Sequence, residues 1–220
     1  MTSFINMRIR VVVPITGLTP EAIEERLRYL RSIADPGTEV EMTPIRVGPP
    51  AIESRVDEVE AGPEVLRLVK EAEEEGCDAV IIWCGGDPAL EAARELVDIP
   101  VIGPGEAMRL LASMCGEKPC CIVPDIPVLE MRRDLERTVE VLKRMIRERI
   151  ERGEGDSFYL GCLALWGLGR RLREELGIPV IDGAEASLKM AELAVKLGLK
   201  PSRVAYPKYP PAHRSADYPD

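Results

Sequence analysis

The stretch Asp78-Ala79-Val80-Ile81-Ile82-Trp83-Cys84 decides the fold, because it has the composition of a strand buried on both faces. Its apolar residues are not interrupted by alternating polar ones, which is typical of strands in parallel sheets covered by helices. Gly85-Gly86-Asp87-Pro88 follows and predicts a tight turn into a helix over residues 88–97, with Asp87 as the N-cap and Pro88 as the first helical residue. The stretch therefore indicates a strand–turn–helix unit with a cysteine at the carboxyl end of its strand.

Strand-like and helix-like runs alternate along the rest of the chain. The predicted strands cover residues 7–14, 38–45, 78–83, 99–102, 119–123, 157–160 and 178–181. The predicted helices cover residues 21–33, 63–75, 88–97, 106–114, 128–152 and 185–197. This alternation predicts an α/β fold in which parallel sheets are flanked by helices on both faces.

The pattern that follows Cys84 occurs again after Cys162, and this repeat is the most informative feature of the sequence. Cys84 is followed by Ile99-Pro100-Val101-Ile102-Gly103, and Cys162 by Ile178-Pro179-Val180-Ile181-Asp182-Gly183. An ordered series of matches of this kind indicates an internal duplication. We interpret the chain as two homologous α/β halves with the two cysteines at equivalent strand ends, and we expect one strand fewer in the second half.

Charge and composition argue against several classes of protein. The chain has 220 residues and a net charge of −9, with acidic and basic residues mixed along its length. The Arg- and Glu-rich stretch 144–152 has the spacing of an ion-paired helix face, so we expect no nucleic-acid partner. No apolar run approaches the roughly 20 residues of a membrane span, and residues 1–10 lack the pattern of a secretory signal. We therefore expect a cytoplasmic protein with no membrane partner, and the near absence of Asn and Gln indicates a thermophilic source.

The six cysteines follow no metal-ligand spacing, and His213 is the only histidine. These facts argue against a zinc site and against Ser-His-Asp or Cys-His catalysis. Because the sequence also lacks a Gly-rich phosphate loop, we expect no metal and no other cofactor. Cys77, Cys115, Cys120 and Cys121 are interpreted as small buried apolar residues, with structural disulfides among them as an alternative.

Cys84 and Cys162 are the candidate catalytic residues, since each ends a predicted strand where open parallel sheets bind ligands. A helix N-terminus after each cysteine would lower the thiol pKa from about 8.5 toward neutrality, and its N–H groups would bind an anionic oxygen. If the two halves close on each other, the two thiols face each other across one cleft. With each sulfur roughly 3.5 Å from a carbon between them, the sulfurs would lie about 7 Å apart, and one could remove a proton while the other returns one to the opposite face.

The sequence resembles the aspartate/glutamate racemase superfamily, and within it the hydantoin racemase branch. The resemblance spans nearly the whole chain and is most specific around the two cysteines. The best matching stretches are Asp78-Ala79-Val80-Ile81-Ile82, Cys84 with Gly86-Asp87-Pro88, Pro100-Val101-Ile102-Gly103, Gly105-Glu106-Ala107, Leu160-Gly161-Cys162 and Pro179-Val180-Ile181-Asp182-Gly183. The resemblance implies a cofactor-independent racemase or epimerase with two pseudo-symmetric α/β lobes, an active site in the cleft between them, and Cys84 and Cys162 as its acid/base pair.

The resemblance also implies that the last helix crosses back to the first lobe. The first lobe would then comprise residues 1–103 and 185–220, and the shortened second lobe residues 104–184. The implied substrate is a small molecule, namely an amino acid, a hydantoin or a related carbon acid. Because homo-oligomers are common among such enzymes, we expect a homo-oligomer here as well.

The polar substrate cradle of the family is altered in this chain. The family's first strand usually ends in an Asn-Pro-Asn-Thr-like turn, whereas this chain has Val13-Pro14-Ile15-Thr16. Where family members often carry adjacent Thr residues at the start of the second half, this chain has Pro124-Asp125. We expect the substrate to contact these positions and the residues beside the cysteines. The expected contact residues are Pro14, Ile15, Gly85, Gly86, Pro124, Asp125 and Leu163.

Two other functions remain open from the sequence. Relatives of the superfamily include decarboxylases and a cis–trans isomerase that depend mainly on one cysteine, and the unequal contexts Cys84-Gly85-Gly86 and Cys162-Leu163-Ala164 are compatible with such a reaction. The apolar residues Val13 and Ile15 are compatible with a ligand-binding homologue that has lost turnover.

Overall fold

The computed structural model describes residues 6–210, in which seven strands form two sheets. The first sheet has the order β2-β1-β3-β4, with β1 Met7–Val13, β2 Thr38–Pro44, β3 Ala79–Ile82 and β4 Val101–Ile102. The second sheet has the order β5-β6-β7, with β5 Pro119–Ile122, β6 Ser157–Leu160 and β7 Val180–Ile181. Every pairing in both sheets is parallel, so the predicted α/β fold class is confirmed.

Helices connect the strands and cover the sheets. They are α1 (Pro20–Ile33), α2 (Arg55–Glu74), α3 (Leu90–Leu96), α4 (Pro104–Cys115), α5 (Leu135–Glu151), α6 (Leu168–Leu176) and α7 (Gly183–Lys196), and a 3₁₀ helix, Leu163–Leu165, follows β6. Within residues 6–210, no helix combines the length and the apolar composition that a membrane span requires.

Strand β3 of the first sheet is buried on both faces, which explains its uninterrupted apolar residues. Ile9 and Ile81 belong to a core that contains α1 and α7, whereas Val12 and Ile82 belong to a second core with α2 and α3. Successive side chains of a strand point to opposite faces, so a strand covered on both sides favours apolar residues at every position. A third core, which includes Phe158, fills the second sheet against α5 and α6.

Two helices cross between the sheets. α4 follows the first sheet but packs against β5, β6 and β7, and the Ser157 hydroxyl in β6 donates to the carbonyl of Ala112 in α4 at 2.9 Å. α7 follows the second sheet but places Leu188 and Ala191 in the core of the first. Because each of these helices packs on the sheet of the other half, we propose that one lobe comprises residues 1–103 and 185–220 and the other comprises residues 104–184.

α2 begins at Arg55 and not at residue 63, where the sequence pattern placed it. Ser54 and Asp57 form a capping box, in which the Asp57 N–H donates to Ser54 Oγ at 3.2 Å and the Ser54 N–H donates to Asp57 Oδ2 at 2.8 Å. This pair satisfies two N-terminal amides and starts the helix, and Pro63 lies inside it. The two additional turns place the beginning of α2 near the end of β3.

α5 begins at Leu135, later than the predicted helix over residues 128–152. The Asp134 carboxylate accepts the N–H of Arg137 at 3.0 Å and caps the helix there. Residues 123–134 therefore form a connection without an α-helix, and most of them line the cavity described below.

The packing of α7 on the first sheet can be tested by comparing substitutions at two leucines of that helix. Leu188 is fully buried in the core of the first sheet, whereas Leu193 is 49% exposed. Leu188→Ala should lower the free energy of unfolding by about 2–5 kcal/mol, because it removes buried methylenes and leaves a cavity. Leu193→Ala should change it by less than about 1 kcal/mol. Equal losses in denaturant titrations would contradict the packing of α7 on the first sheet.

Candidate active site

A cavity of about 810 Å³ opens between the carboxyl ends of the two sheets. Its walls come from both halves, namely the ends of β1 and β3, the start of α2, the segment 123–132 and the turn after β6. Both candidate catalytic cysteines and all seven expected contact residues line it: Pro14, Ile15, Cys84, Gly85, Gly86, Pro124, Asp125, Cys162 and Leu163. The structure thus brings the predicted residues together, and their roles remain predictions.

The two halves meet in backbone contact directly beside the cysteines. A Cβ atom added to Gly85 would lie 2.0 Å from the carbonyl oxygen of Gly161. Because no side chain fits into that space, only glycine at this position permits the approach. Gly85 follows Cys84 and Gly161 precedes Cys162, so this contact holds the two thiols at one cavity.

Burial dominates the protonation of both thiols. It raises the pKa of Cys84 to about 12, with the negative charges of Glu58 and Asp87 and the Cys162 thiol adding to the rise. The N–H of Gly86, which donates to Cys84 Sγ at 3.4 Å, opposes this effect. Burial also raises the pKa of Cys162, with a contribution from Glu53. Both thiols are therefore neutral at pH 7.

The expectation of thiol pKa values lowered by helix N-termini was wrong, because burial outweighs the one amide near each sulfur, that of Gly86 for Cys84 and that of Ala164 for Cys162. After Cys84 the backbone adopts positive φ at Asp87 (54°) and Ala89 (58°), and α3 starts only at Leu90 instead of Pro88. A single N–H, that of Gly86, contacts the thiol. One amide does not compensate for the loss of hydration around a buried sulfur.

Asp87 caps a different helix from the one predicted. Its Oδ1 accepts the N–H of Gly105 at 2.8 Å and its Oδ2 accepts the N–H of Glu106 at 2.7 Å, both in the first turn of α4. Asp87 therefore ties the loop between β3 and α3, which contains Cys84, to the helix that covers the other sheet. The Asp87 side chain is 10% exposed, so these two amides replace most of its contact with water.

Asp182 is the corresponding helix-capping carboxylate in the second half. It is 1% exposed, and its Oδ1 accepts the N–H of Ala184 at 2.9 Å and that of Glu185 at 3.4 Å in the first turn of α7. Its Oδ2 accepts the N–H of Gly167 at 2.7 Å and that of Gly169 at 3.2 Å at the start of α6. One carboxylate thus joins the loop after Cys162 to the helix that crosses to the first sheet.

The two halves supply this carboxylate from different positions in the sequence. In the repeat, Gly103 corresponds to Asp182, and their backbones are nearly identical, with φ −90° and ψ 121° against φ −93° and ψ 130°. A Cβ added to Gly103 would lie 2.6 Å from Asp87 Cγ, so the Asp87 carboxyl fills the space that an aspartate at 103 would need. The two halves therefore take the capping carboxylate from different positions of the repeat.

An arginine supports the first turn of each crossing helix. Arg94 in α3 is ion-paired with Glu106 of α4, and its Nη2 donates to the carbonyl of Val101 at 3.1 Å. Arg173 in α6 pairs with Glu185 of α7 at 2.9 Å and donates to the carbonyl of Val180 at 2.8 Å. The two glutamates are first-turn carboxylates, as the sequence indicated.

Several cavity residues were missed by the sequence analysis. Glu53 and Glu58 flank the start of α2 and line the cavity, and Glu53 Oε1 accepts the N–H of Val128 in the second half at 3.0 Å. The Ser54–Asp57 capping signal was present in the sequence and would have placed this turn correctly. Arg26 and Arg132 also line the cavity. Neither belongs to a motif, and only the packing of the two halves brings them there.

The other four cysteines lie away from the cavity, and all four are free. Cys77 is buried, as expected, and its Sγ contacts Glu41 Oε1 at 3.1 Å. Cys120 is partly exposed, and Cys115 and Cys121 are exposed, so the expectation of burial was wrong for these three residues. Cys115 ends α4, and Cys121 lies on the partly exposed strand β5. No His, Cys, Asp and Glu cluster within residues 6–210 is arranged to hold a metal ion.

Comparison with known proteins finds similar sequences and similar folds. The family model described as Asp/Glu/Hydantoin racemase matches residues 15–124. A hydantoin racemase from Pseudomonas sp. (strain NS671) is 34% identical, with 93% of this chain and 92% of the relative covered. The structure of allantoin racemase from Klebsiella pneumoniae has a TM-score of 0.84 at 32% identity, with 92% of this chain and 94% of that chain covered. Allantoin racemase from Pseudomonas fluorescens has a TM-score of 0.84 at 27% identity, with coverages of 93% and 98%.

Because the second half has its capping aspartate at the position equivalent to 103, we expect that an aspartate at position 103 can replace Asp87. Asp87→Gly should lower the free energy of unfolding by about 1–2 kcal/mol, because two buried amides lose their acceptor. Gly103→Asp alone should also destabilise, since its Cβ overlaps the Asp87 carboxyl. The double variant should be more stable than the sum of the two losses implies, by at least about 1 kcal/mol in denaturant titrations. Additive losses would contradict the equivalence of the two caps.

Glu58 should control how readily Cys84 ionises. Its negative charge raises the pKa of Cys84, so Glu58→Gln should lower that pKa and increase the thiolate fraction at a given pH. Alkylation of Cys84 by iodoacetamide at pH 8, followed by peptide mass spectrometry, should become faster, on the order of a few-fold. Glu60→Gln on the same helix is the matched control, because Glu60 is exposed and does not line the cavity. An unchanged rate for Cys84 in Glu58→Gln would remove Glu58 from the electrostatics of this thiol.

Proposed function

Because the chain belongs to the Asp/Glu/hydantoin racemase family, we propose that it racemises a substituted hydantoin, with Cys84 and Cys162 as the two proton-transferring groups. Membership of the family makes the protein an isomerase, a racemase of small molecules. The hydantoin class is inferred from the relatives, which are hydantoin and allantoin racemases. The observation that carries the proposal is that both thiols line one cavity, each from its own half of the chain.

The proposed reaction moves one proton off the stereocentre and one proton on. One cysteine, as the thiolate, removes the proton from carbon, and the electron pair of the C–H bond shifts into the adjacent carbonyl to give an enolate. The thiol of the other cysteine then donates its proton to the opposite face of the carbon. The first cysteine ends as the thiol and the second as the thiolate, so the enzyme can next act on the opposite enantiomer, or proton exchange with solvent returns the pair to its starting state.

The raised thiol pKa values suit this chemistry. A thiolate that holds its proton tightly is a stronger base, and the proton on a carbon next to a carbonyl is only weakly acidic. The same effect makes the thiolate scarce in the resting protein, so the first ionisation limits the rate at neutral pH. We therefore expect the racemisation rate of the free enzyme to rise with pH above neutrality, because the thiolate fraction grows as the pH approaches the pKa of Cys84.

Backbone groups beside the thiols are proposed to stabilise the enolate oxygen. Gly85, Gly86 and Leu163 line the cavity next to the cysteines, and glycine allows a ligand to approach the main chain closely. An N–H donor placed at a developing oxyanion in a cavity that excludes water is a large contributor to catalysis. Aliphatic and aromatic side chains form much of the remaining wall, including Ile15, Leu18, Trp83 and Met131.

Single substitutions at the two cysteines test the proposal. Cys84→Ser and Cys162→Ser should each lower the racemisation of a panel of hydantoins by about 10²–10⁴-fold, because one face of the carbon loses its proton donor or base. Exchange of the stereocentre proton for deuterium should survive for one enantiomer in one variant and for the opposite enantiomer in the other. Optical rotation and NMR in deuterium oxide measure the two effects.

Cys115→Ser is the control, because Cys115 is exposed and lies outside the cavity wall. Exchange that survives the loss of both Cys84 and Cys162 would exclude the thiols from the mechanism. Turnover that tolerates the loss of one thiol would favour a one-cysteine decarboxylase or cis–trans isomerase. Binding of ligands without exchange of any compound would favour a ligand-binding homologue.

A further inference from the structure

Arg26 presents an unpaired positive charge to the cavity. It lies on α1, it is only partly exposed, and its side chain lines the cavity wall. Its Nη1 donates to the carbonyl of Ala22 on its own helix at 2.6 Å, whereas its Nε is buried without an acceptor. No carboxylate of residues 6–210 lies within 4.0 Å of the guanidinium. Arg26 therefore has a hydrogen-bond donor and a charge that the protein itself does not satisfy.

The other shielded arginines of the protein have carboxylate partners. Arg10, whose side chain is 7% exposed, contacts Glu75 at 2.6 Å and also pairs with Glu41. Arg94 and Arg173 pair with the first-turn glutamates described above. A shielded guanidinium without a counter-charge is unfavourable, because burial removes hydration that nothing replaces. The exception at Arg26 coincides with the cavity.

A second arginine beside Arg26 increases the positive charge at this wall. Arg132, which also lines the cavity, lies 3.7 Å above the ring of Trp166 and donates to the carbonyl of Trp166 at 3.0 Å. Its only carboxylate contact within residues 6–210 is Glu25 at 3.4 Å. Burial lowers the pKa of Arg26 and repulsion from Arg132 lowers it further, and the negative charge of Glu25 offsets these effects only in part. An anion at this wall would relieve both effects.

We propose that Arg26, with Arg132 behind it, binds a carboxylate on the substituent of the substrate. This inference rests on the proposed function and narrows it to hydantoins whose side chain ends in an acidic group. Arg26 and both thiols line the same cavity of about 810 Å³, so a substrate with its ring at the cysteines can direct its side chain toward Arg26. An anion at this wall offsets the positive charges of Arg26 and Arg132, which a neutral hydrogen-bond acceptor does not.

Two substrates that differ only in charge test this subsite. The hydantoin of glutamate carries a side-chain carboxylate, and the hydantoin of glutamine carries a carboxamide of the same length. The enzyme should prefer the carboxylate by about 10-fold or more in kcat/KM, and Arg26→Met should abolish that preference. Arg26→Lys should retain part of it, because the charge is kept. Arg28→Met is the matched control and should keep the full preference, because Arg28 lies on the exposed side of α1 and does not line the cavity.

Calorimetric binding of both compounds keeps the test independent of turnover. If neither compound is racemised but the wild-type protein binds the carboxylate more tightly and Arg26→Met does not, the subsite stands and the proposed reaction fails. If both compounds are racemised with equal kcat/KM, the subsite fails and the proposed reaction stands. A preference that survives unchanged in Arg26→Met, with the variant folded by its melting temperature, would also overturn the inference.

Discussion

The arrangement of the candidate active site depends on the backbone contact between Gly85 and Gly161. Each glycine is the neighbour of a cysteine, and a Cβ on Gly85 would occupy the position of the Gly161 carbonyl. The carboxyl ends of the two sheets can therefore approach only if position 85 has no side chain. The crossing helices α4 and α7 keep the halves in this position, because each packs on the sheet of the other half. Both cysteines consequently reach one cavity.

The capping carboxylates of Asp87 and Asp182 show which structural feature the two duplicated halves share. Asp87 and Asp182 accept hydrogen bonds from the same two first-turn amides of their respective helices, although they occupy different positions of the repeat. A glycine lies against each aspartate, because a Cβ at Gly103 would come within 2.6 Å of Asp87 Cγ and a Cβ at Gly169 within 2.6 Å of Asp182 Cβ. The requirement is therefore a buried acceptor between the cysteine loop and the crossing helix, and either position can provide it. Without such an acceptor the buried amides would lose hydrogen bonds that water cannot replace.

The fold class and the cavity residues next to the thiols could be predicted from the sequence, because apolar strands and an internal repeat can be recognised without knowing the tertiary contacts. Prediction from the sequence failed where a distant contact decides the outcome. The sequence after Cys84 predicts that Asp87 caps the helix that directly follows it. In the structure Asp87 caps α4 instead, and α4 contacts this loop only in the folded protein. The thiol pKa values depend on burial between the halves and on Glu53 and Glu58, which no motif connects to the cysteines. Arg26 occupies an ordinary position of an amphipathic helix, and only the cavity distinguishes it from Arg28.

The central claim is that one carbon atom of the substrate lies between the two thiols. A crystal structure of the Cys162→Ser variant with a bound hydantoin tests it most directly, because slow turnover would keep the ligand intact. We expect the stereocentre roughly 3.5 Å from Cys84 Sγ on one face and at a similar distance from the introduced hydroxyl on the other. A ligand whose stereocentre contacts only one of the two side chains, or lies elsewhere in the cavity, would contradict the account.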